Sequence, residues 1–233
     1  MQPVIEIKDL YKIYNPGENE VRALNGVGLT IEKGEFVAIV GHSGSGKSTL
    51  MNMIGCLDVP TQGSYKLNGI EVASLTDNEL SEIRNNMIGF IFQSFNLIAN
   101  LTAYENVDLP LIYRGLPASE RRKLVTMALE RVGLEERMNH RPNEMSGGQQ
   151  QRVAVARAIA GSPPLILADE PTGNLDSKAG KQVFSIIQQL HQEGNTVVLI
   201  THDDQLAKKA GRMVRITDGQ VDSGPSSQHK EVY

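Results

Sequence analysis

Eight consecutive residues, Gly41-His42-Ser43-Gly44-Ser45-Gly46-Lys47-Ser48, match the phosphate-loop pattern G-x-x-x-x-G-K-[ST]. Glycines let a chain fold into a concave nest whose N–H groups converge on phosphate oxygens. A helix opening there adds its positive N-terminus. In such a cradle Lys47 supplies a point charge for β and γ phosphates, Ser48 supplies an oxygen ligand for Mg²⁺, and Thr49 follows on the same helix. A second stretch, Leu165-Ile166-Leu167-Ala168-Asp169-Glu170, is an apolar run ending in two carboxylates. On a strand these would lie at the C-terminal edge, where open α/β sheets bind ligands. Asp169 could then hold Mg²⁺ through its shell, and Glu170 could polarise an attacking water. A plainer role for the pair is to cap the following turn. In Met145-Ser146-Gly147-Gly148-Gln149, a Ser and two glycines precede a helical pattern and form another anion nest. One nucleotide needs one cradle, so the second calls for an explanation.

The hydrophobic pattern supplies elements to position these groups. Val4, Ile5 and Ile7 begin a β-branched stretch that Asn15-Pro16-Gly17 breaks. The next expected strand, Glu35 to Val40, is a continuous apolar run of the kind buried on both faces of a parallel sheet. It ends at Gly41. A helix is expected near Lys47, with Leu50, Met51, Ile54 and Leu57 on one face. Tyr65 to Leu67 is a weaker strand, Thr76-x-x-Glu79 has the form of a capping box, and Met87 to Phe92 is strand-like. From about Ser94 to Gly161 the pattern is helical. Ser119 could cap a helix running to Val132, with Ala118, Leu124, Ala128, Leu129 and Val132 on its apolar face. Gln149 to Ala160 is a second helix, with Val153, Ala156 and Ile159 facing inward. Strands return at Leu165–Ala168, Thr196–Ile200 and Met213–Thr217, with a helix over Asp176–Gln192. This alternation predicts an α/β fold with a largely parallel sheet, into which the helical block is inserted. Gly224 to Tyr233 is polar and reads as a frayed tail.

Composition narrows the class. Of 233 residues, 23 are Lys or Arg and 27 Asp or Glu, so the net charge of −4 argues against a general nucleic-acid coat. Trp is absent and aromatics are 5%, which argues against an aromatic-rich sugar- or base-stacking surface. The single Cys56 excludes an internal disulfide and a Cys-rich zinc site; it is expected to pack as a small apolar residue. No apolar run approaches the roughly 18 residues of a membrane span, and MQPVIEIKDL lacks the form of a signal peptide. A soluble cytoplasmic protein is expected.

Taken in order, the three motifs resemble the ATP-binding subunits of ABC transporters over roughly Val4 to Gly224. Met145-Ser146-Gly147-Gly148-Gln149 is similar to the family signature LSGGQ, with Met in place of Leu, a swap of similar apolar volume. The resemblance implies a P-loop NTPase (RecA-like) core at 1–93 and 162–224, an N-terminal antiparallel β part, a helical subdomain at 94–161, and a tail at 225–233. It implies roles for further residues. Tyr14 matches the aromatic that stacks on adenine, with Tyr11 competing for that role. Gln93 matches the glutamine that touches Mg²⁺ and the attacking water. Asn174-Leu175-Asp176 resembles the loop that crosses to a partner subunit, and His202 the switch histidine at the γ phosphate. Ser48, Gln93 and Asp169 would be the Mg²⁺ ligands, Glu170 the general base oriented with His202, and Lys47 the essential phosphate cation. Gly41 to Thr49, Ser146, Gly147, Gly148 and Gln149 would hold ATP. His42 occupies a variable loop position and has no catalytic role. In the family two such domains dimerise head to tail, which would account for the second nest: it would serve the partner's nucleotide.

Ile54-Gly55-Cys56-Leu57-Asp58 with Pro60-Thr61, Phe90 to Leu97, Glu105-Asn106-Val107 with Leu109-Pro110-Leu111, and Gly147 to Arg152 are similar to a narrower branch of macrolide-exporter (MacB-like) and lipoprotein-release ATPases. With one full set of motifs in the chain, the family's pairing implies an ATP-dependent homodimer; the branch implies a membrane permease with a large extracytoplasmic domain, with room for a periplasmic adaptor. The chain would sit at the cytoplasmic membrane face through its permease. Phe95, Leu97, Ile98 and Leu101 could line the permease's docking groove or form the subdomain's own core. A soluble ABC ATPase uncoupled from transport is the alternative function.

Overall fold

The structure, a computed structural model, describes residues 3–17 and 19–222. The expected polar tail therefore lies outside the described residues. In chain order the elements are β1 (Ile5–Tyr14), β2 (Val21–Ile31), β3 (Phe36–Val40), α1 (Lys47–Ile54), β4 (Gln62–Leu67), β5 (Ile70–Glu71), α2 (Asp77–Met87) and β6 (Ile88–Phe92). Then come α3 (Ala103–Tyr113), α4 (Ala118–Arg131), α5 (Gly147–Ile159), β7 (Leu165–Asp169), α6 (Ser177–Gln192), β8 (Thr196–Ile200), α7 (Asp204–Ala207), β9 (Arg212–Thr217) and β10 (Gln220–Asp222). The fold is mixed α/β, with one antiparallel and one mainly parallel sheet. The described residues divide into two compact units, one within Met1–Leu75 and Val198–Tyr233, the other Thr76–Val197.

In the first unit β1 pairs antiparallel with β2 and β4, giving the order β2-β1-β4-β5. Alternate residues point inward, so Ile5, Ile7, Leu10, Leu24, Val27, Ile31 and Leu67 are buried. Strand β2 is not evident from the sequence, because Asn25, Gly26 and Gly28 read as turn punctuation. Pairing with β1 overrides that local signal: the register shifts between Leu10 and Lys12, and Gly26 takes φ 71° beside the irregularity. The same unit contains the order β10-β9-β3-β8, with β3 and β9 parallel. All five residues of β3 are buried, as a continuous apolar run predicts.

Helix α1 buries Leu50, Met51 and Ile54, but it stops there. Cys56 takes φ 53°, and this left-handed residue swings Leu57 off the helical face to 46% exposure. The expected burial of Leu57 is thus corrected, while Cys56 is fully buried.

The second unit contains β7 and β6, which run parallel from Ile88↔Leu165 to Phe92↔Asp169. Helices α3, α4 and α5 pack against one another. The capping box at Thr76 and Glu79 opens α2, and a second one at Thr102 and Glu105 opens α3. Pro110 lies inside α3, which is why the sequence pattern showed no separate helix there. Ser119 does not cap α4. Pro117 precedes the helix, no side chain caps it, and Ala118 is exposed while Val125, Ala128 and Leu129 are buried.

Buried Asn106 pins the segment ahead of α3. Its Nδ2 donates to the carbonyls of Ile98, Leu101 and Thr102, at 3.2, 3.1 and 2.9 Å, and its Oδ1 accepts from the Ile98 N–H at 2.8 Å. Replacing Asn106 with Leu keeps similar volume but strands these groups. Urea unfolding should show the variant about 2–4 kcal/mol less stable. A loss below about 0.5 kcal/mol would mean that the clamp contributes nothing.

Candidate functional site

In the first unit, β3 runs into the glycine-rich loop and α1 leaves it. Gly46 is the N-cap at φ 102°, and a Cβ there would stand 2.6 Å from the Ala23 carbonyl oxygen, so only glycine fits. The Lys47 Nζ donates to the Gly41 and His42 carbonyls, both at 2.7 Å, and so spans the loop. Ser48 is exposed on the first turn, and Thr49 is half-buried beside it. Ser45 is fully buried beneath the loop; its N–H donates to His42 O at 3.2 Å and its carbonyl accepts from Gly219 N at 2.9 Å. The tip, His42, Ser43 and Gly44, is exposed, with His42 Nδ1 2.7 Å from the Ser43 carbonyl. His202 is exposed just past β8. Its neighbour Thr201 is buried and donates its N–H to Ile39 O at 3.2 Å, which holds His202 beside the end of β3.

Tyr14 ends β1. Its hydroxyl donates to Asp58 Oδ2 at 3.0 Å, and Lys12 Nζ lies 2.6 Å from Asp58 Oδ1 and 5.0 Å from the Tyr14 ring centroid. Burial, with the hydrogen bond and charge of Asp58 adding to it, pushes the Tyr14 phenol up, against a smaller opposing hydrogen bond with Thr49. Burial also works against the charged form of Asp58. The bonds from Lys12, the Val59 N–H and Tyr14 outweigh it and hold the carboxyl below its ordinary value. Tyr11 lies elsewhere, its hydroxyl against Gly26 of β2.

In the second unit, the last pair of the β6–β7 ladder is Phe92↔Asp169, so Gln93 and Glu170 are the first residues beyond it on each strand. Gln93 Nε2 donates to Asn174 Oδ1 at 3.2 Å, and Asn174 Nδ2 returns to the Gln93 carbonyl at 3.1 Å. Glu170 takes φ 44°, an uncommon conformation for a residue with a side chain, so the chain turns sharply after Asp169. Its carbonyl accepts from Gly173 N at 3.0 Å. Strain of this kind concentrates at functional sites.

Ser146 caps α5. Its Oγ accepts from Gln149 N at 3.3 Å, and Gln149 Oε1 accepts from Ser146 N at 2.9 Å. This closed box leaves the N–H groups of Gly147 and Gly148 as the helix's N-terminal donors. The charge pattern singles out two helices. First turns of α2, α3, α4 and α7 carry Asp or Glu, and α6 is capped by Asp176, whereas α1 and α5 have no acid there. Their positive ends are left without a carboxylate of their own, as an anion site requires.

Two polar side chains of the site carried no role from the sequence. Gln151 is fully buried on α5 and donates to the carbonyls of Phe92 and Pro171, at 3.1 and 2.7 Å. It therefore ties α5 to the chain next to Gln93 and next to Glu170. Asp58, beyond α1, holds Tyr14. The signal available for each was only a polar residue inside an otherwise apolar or helical stretch. The two glycines of α5 also differ. A Cβ on Gly148 would meet the Ala179 Cβ at 2.7 Å, but one on Gly147 would meet only side-chain carbons at 3.7 Å. Gly148→Ala should lower the urea unfolding free energy by about 1–3 kcal/mol, and Gly147→Ala should stay within about 0.5 kcal/mol of the parent. Equal effects would contradict this packing.

The geometry can be set beside known proteins. The family model described as "ABC transporter" matches residues 24–173. An uncharacterised ABC transporter ATP-binding protein of Thermotoga maritima is 51% identical over 222 residues, 95% of each chain. The macrolide export ATP-binding/permease protein MacB of Hyphomonas neptunium is 53% identical over 224 residues, which are 95% of this chain and 35% of that one. The chain thus spans about a third of the length of such relatives. Among solved structures, the dimeric post-hydrolysis state of the ATP-binding cassette MJ0796 with ADP and Pi superposes with a TM-score of 0.85. It is 48% identical, and the match covers 94% of this chain and 96% of that one. With a P-loop NTPase fold, a phosphate loop on one helix and a signature nest on another, the chain belongs to the ABC transporter family, as an ATP-binding subunit.

Proposed function

We propose that the chain hydrolyses ATP as a head-to-tail homodimer and drives a membrane permease that exports or extracts a hydrophobic substrate, peptide, drug or lipoprotein. The observation that carries the dimer is the second acid-free helix start, at α5: one chain offers two anion cradles. In the proposed assembly Gly41 to Thr49 of one subunit cradle the phosphates, while Ser146, Gly147, Gly148 and Gln149 of the other close over the γ phosphate. The dimer of the MJ0796 cassette supports this reading. Tyr14 stacks on adenine, which its position near Thr49 supports better than Tyr11's place against Gly26. The domain reading stays a core of 1–93 and 162–224 with a helical subdomain at 94–161.

Hydrolysis is in-line attack of water on the γ phosphate, in which positioning and charge stabilisation do the work. Glu170 takes the proton of the attacking water, and His202 and Gln93 orient the water and the γ phosphate. Lys47 turns from the loop carbonyls to the phosphate oxygens. Among the described residues no cluster of three His, Cys, Asp or Glu could hold a metal. The proposed donors, the Ser48 hydroxyl, Gln93 amide and Asp169 carboxylate, are all hard oxygens. They suit Mg²⁺, which retains waters and takes its other ligands from substrate phosphates. The ion would supply charge neutralisation at the β and γ oxygens.

No described helix is long and apolar enough to cross a membrane. The combined ATP-binding/permease relatives favour coupling to transport over an uncoupled ATPase. A peripheral place at the cytoplasmic membrane face follows, through a permease with a large extracytoplasmic domain and, in the fullest form, a periplasmic adaptor. Phe95, Leu97 and Leu101 are half-buried and Ile98 is 48% exposed, which supports the docking groove more than a closed core.

Removing the proposed base separates binding from hydrolysis. With ATP and Mg²⁺, Glu170→Gln should run as a stable dimer in light scattering, with turnover down by about a hundredfold or more; a monomer would sink the shared-site model. Leu97→Glu should keep the ATPase activity of the isolated chain and lose co-purification with its permease. Unchanged co-purification would remove Leu97 from the groove.

A further inference from the structure

The polar triad at the end of β1 has no part in the phosphate chemistry, yet it is specifically built. Asp58 lies four residues beyond α1, in the turn made by left-handed Cys56. Each of its oxygens has its own partner: Oδ1 takes the Lys12 ammonium and the Val59 N–H, at 2.6 and 2.8 Å, and Oδ2 takes the Tyr14 hydroxyl at 3.0 Å. Lys12 is further fixed by the Val59 carbonyl at 2.8 Å, and its Nζ lies over the Tyr14 ring. One ring face is therefore covered by a cation held in place by the same carboxylate that holds the ring's hydroxyl. Tyr14 is half-buried, and a planar ligand would stack on the ring face away from Lys12. We propose that Asp58 is a positioning residue for the nucleotide base: it locks the Tyr14 ring, through its hydroxyl and through Lys12, at a fixed place relative to α1 and the phosphate loop. The inference rests on the reading of Tyr14 as the base-stacking residue.

A ring held by a bond at its far end loses little entropy when a base stacks on it, so the lock raises affinity for the base without touching the phosphates. Asp58 reaches the ring from the segment that follows α1. Base and phosphates are thereby referred to one helix.

The test is equilibrium titration of the full chain with ADP, which carries a base, and with inorganic pyrophosphate, which does not, both with Mg²⁺. Tyr14→Ala should weaken ADP about tenfold. Tyr14→Phe and Asp58→Asn should each weaken ADP about three- to fivefold, and the double variant Tyr14→Phe/Asp58→Asn should be no weaker than either single one. Pyrophosphate affinity should stay within about twofold throughout, which a merely structural role for Asp58 would not produce. If Tyr14→Ala weakens ADP but Tyr14→Phe and Asp58→Asn match the parent, positioning by Asp58 is overturned and base stacking stands. If Tyr14→Ala itself binds ADP like the parent, the base-stacking reading falls, and this inference with it. If Asp58→Asn weakens pyrophosphate as much as ADP, the residue supports α1 generally and the proposal fails.

Discussion

The second unit hangs on one buried amide. The carbonyls of Phe92, the last residue of β6, and Pro171, two residues past β7, both accept from one side chain that is fully buried. Gln151 supplies both bonds from α5. A buried carbonyl without a donor would cost about 1–3 kcal/mol, so the amide fixes where α5 lies against the two strand ends. The signature residues Ser146 to Gln149 sit roughly one turn earlier on the same helix, and helical geometry leaves their direction no freedom. Arg157 repeats the device two turns later. Burial pushes its guanidinium down from its ordinary value, and it donates to Phe95 and Asn96, two residues held in left-handed conformations just past Gln93. One helix thus sets the exits of both strands and carries the nest.

Electrostatics divides the helices by task. Helices that serve only the fold put an acid at or near their N-terminus, which neutralises their positive ends. The starts of α1 and α5 use glycine and serine instead. The capping box of Ser146 and Gln149 shows the same economy with neutral groups: it orders the first turn without spending the positive end on an internal charge. Both helix starts are left without an acid of their own, which is the condition an external anion would need.

Much of this was legible from residue types alone. The phosphate loop, the apolar strand before it, the acids closing β7 and the capping box of α2 are local patterns, read from neighbours within four or five residues. Strand β2 was not legible, because a bulge around Asn25 and Gly26 looks like a turn until β1 pairs across it. The start of α4 differs from the expectation because Ser119, two residues after Pro117, has the form of a cap but lies inside the helix. The spacing of Leu57 continues the apolar face of α1, but a left-handed Cys56 ends that periodicity. In the site, Asp58 and Gln151 stood inside recognisable stretches and still carried no assignable role, since each acts on groups 20 to 59 residues away in the chain.

The sequence by itself determined the chemistry on offer: two glycine-built anion cradles, one lysine, an acid pair and the order in which strands and helices present them. Those follow from short-range sterics and side-chain type, which no partner can change. Tertiary structure decided how the groups are held. A carboxylate locks Tyr14, an amide bridges two strand ends, and Ala179 leaves no room for a side chain at Gly148. The reason is physical: a buried polar group or a close backbone approach is satisfied only by an atom that folding brings near, and spacing along the chain does not say which atom that will be.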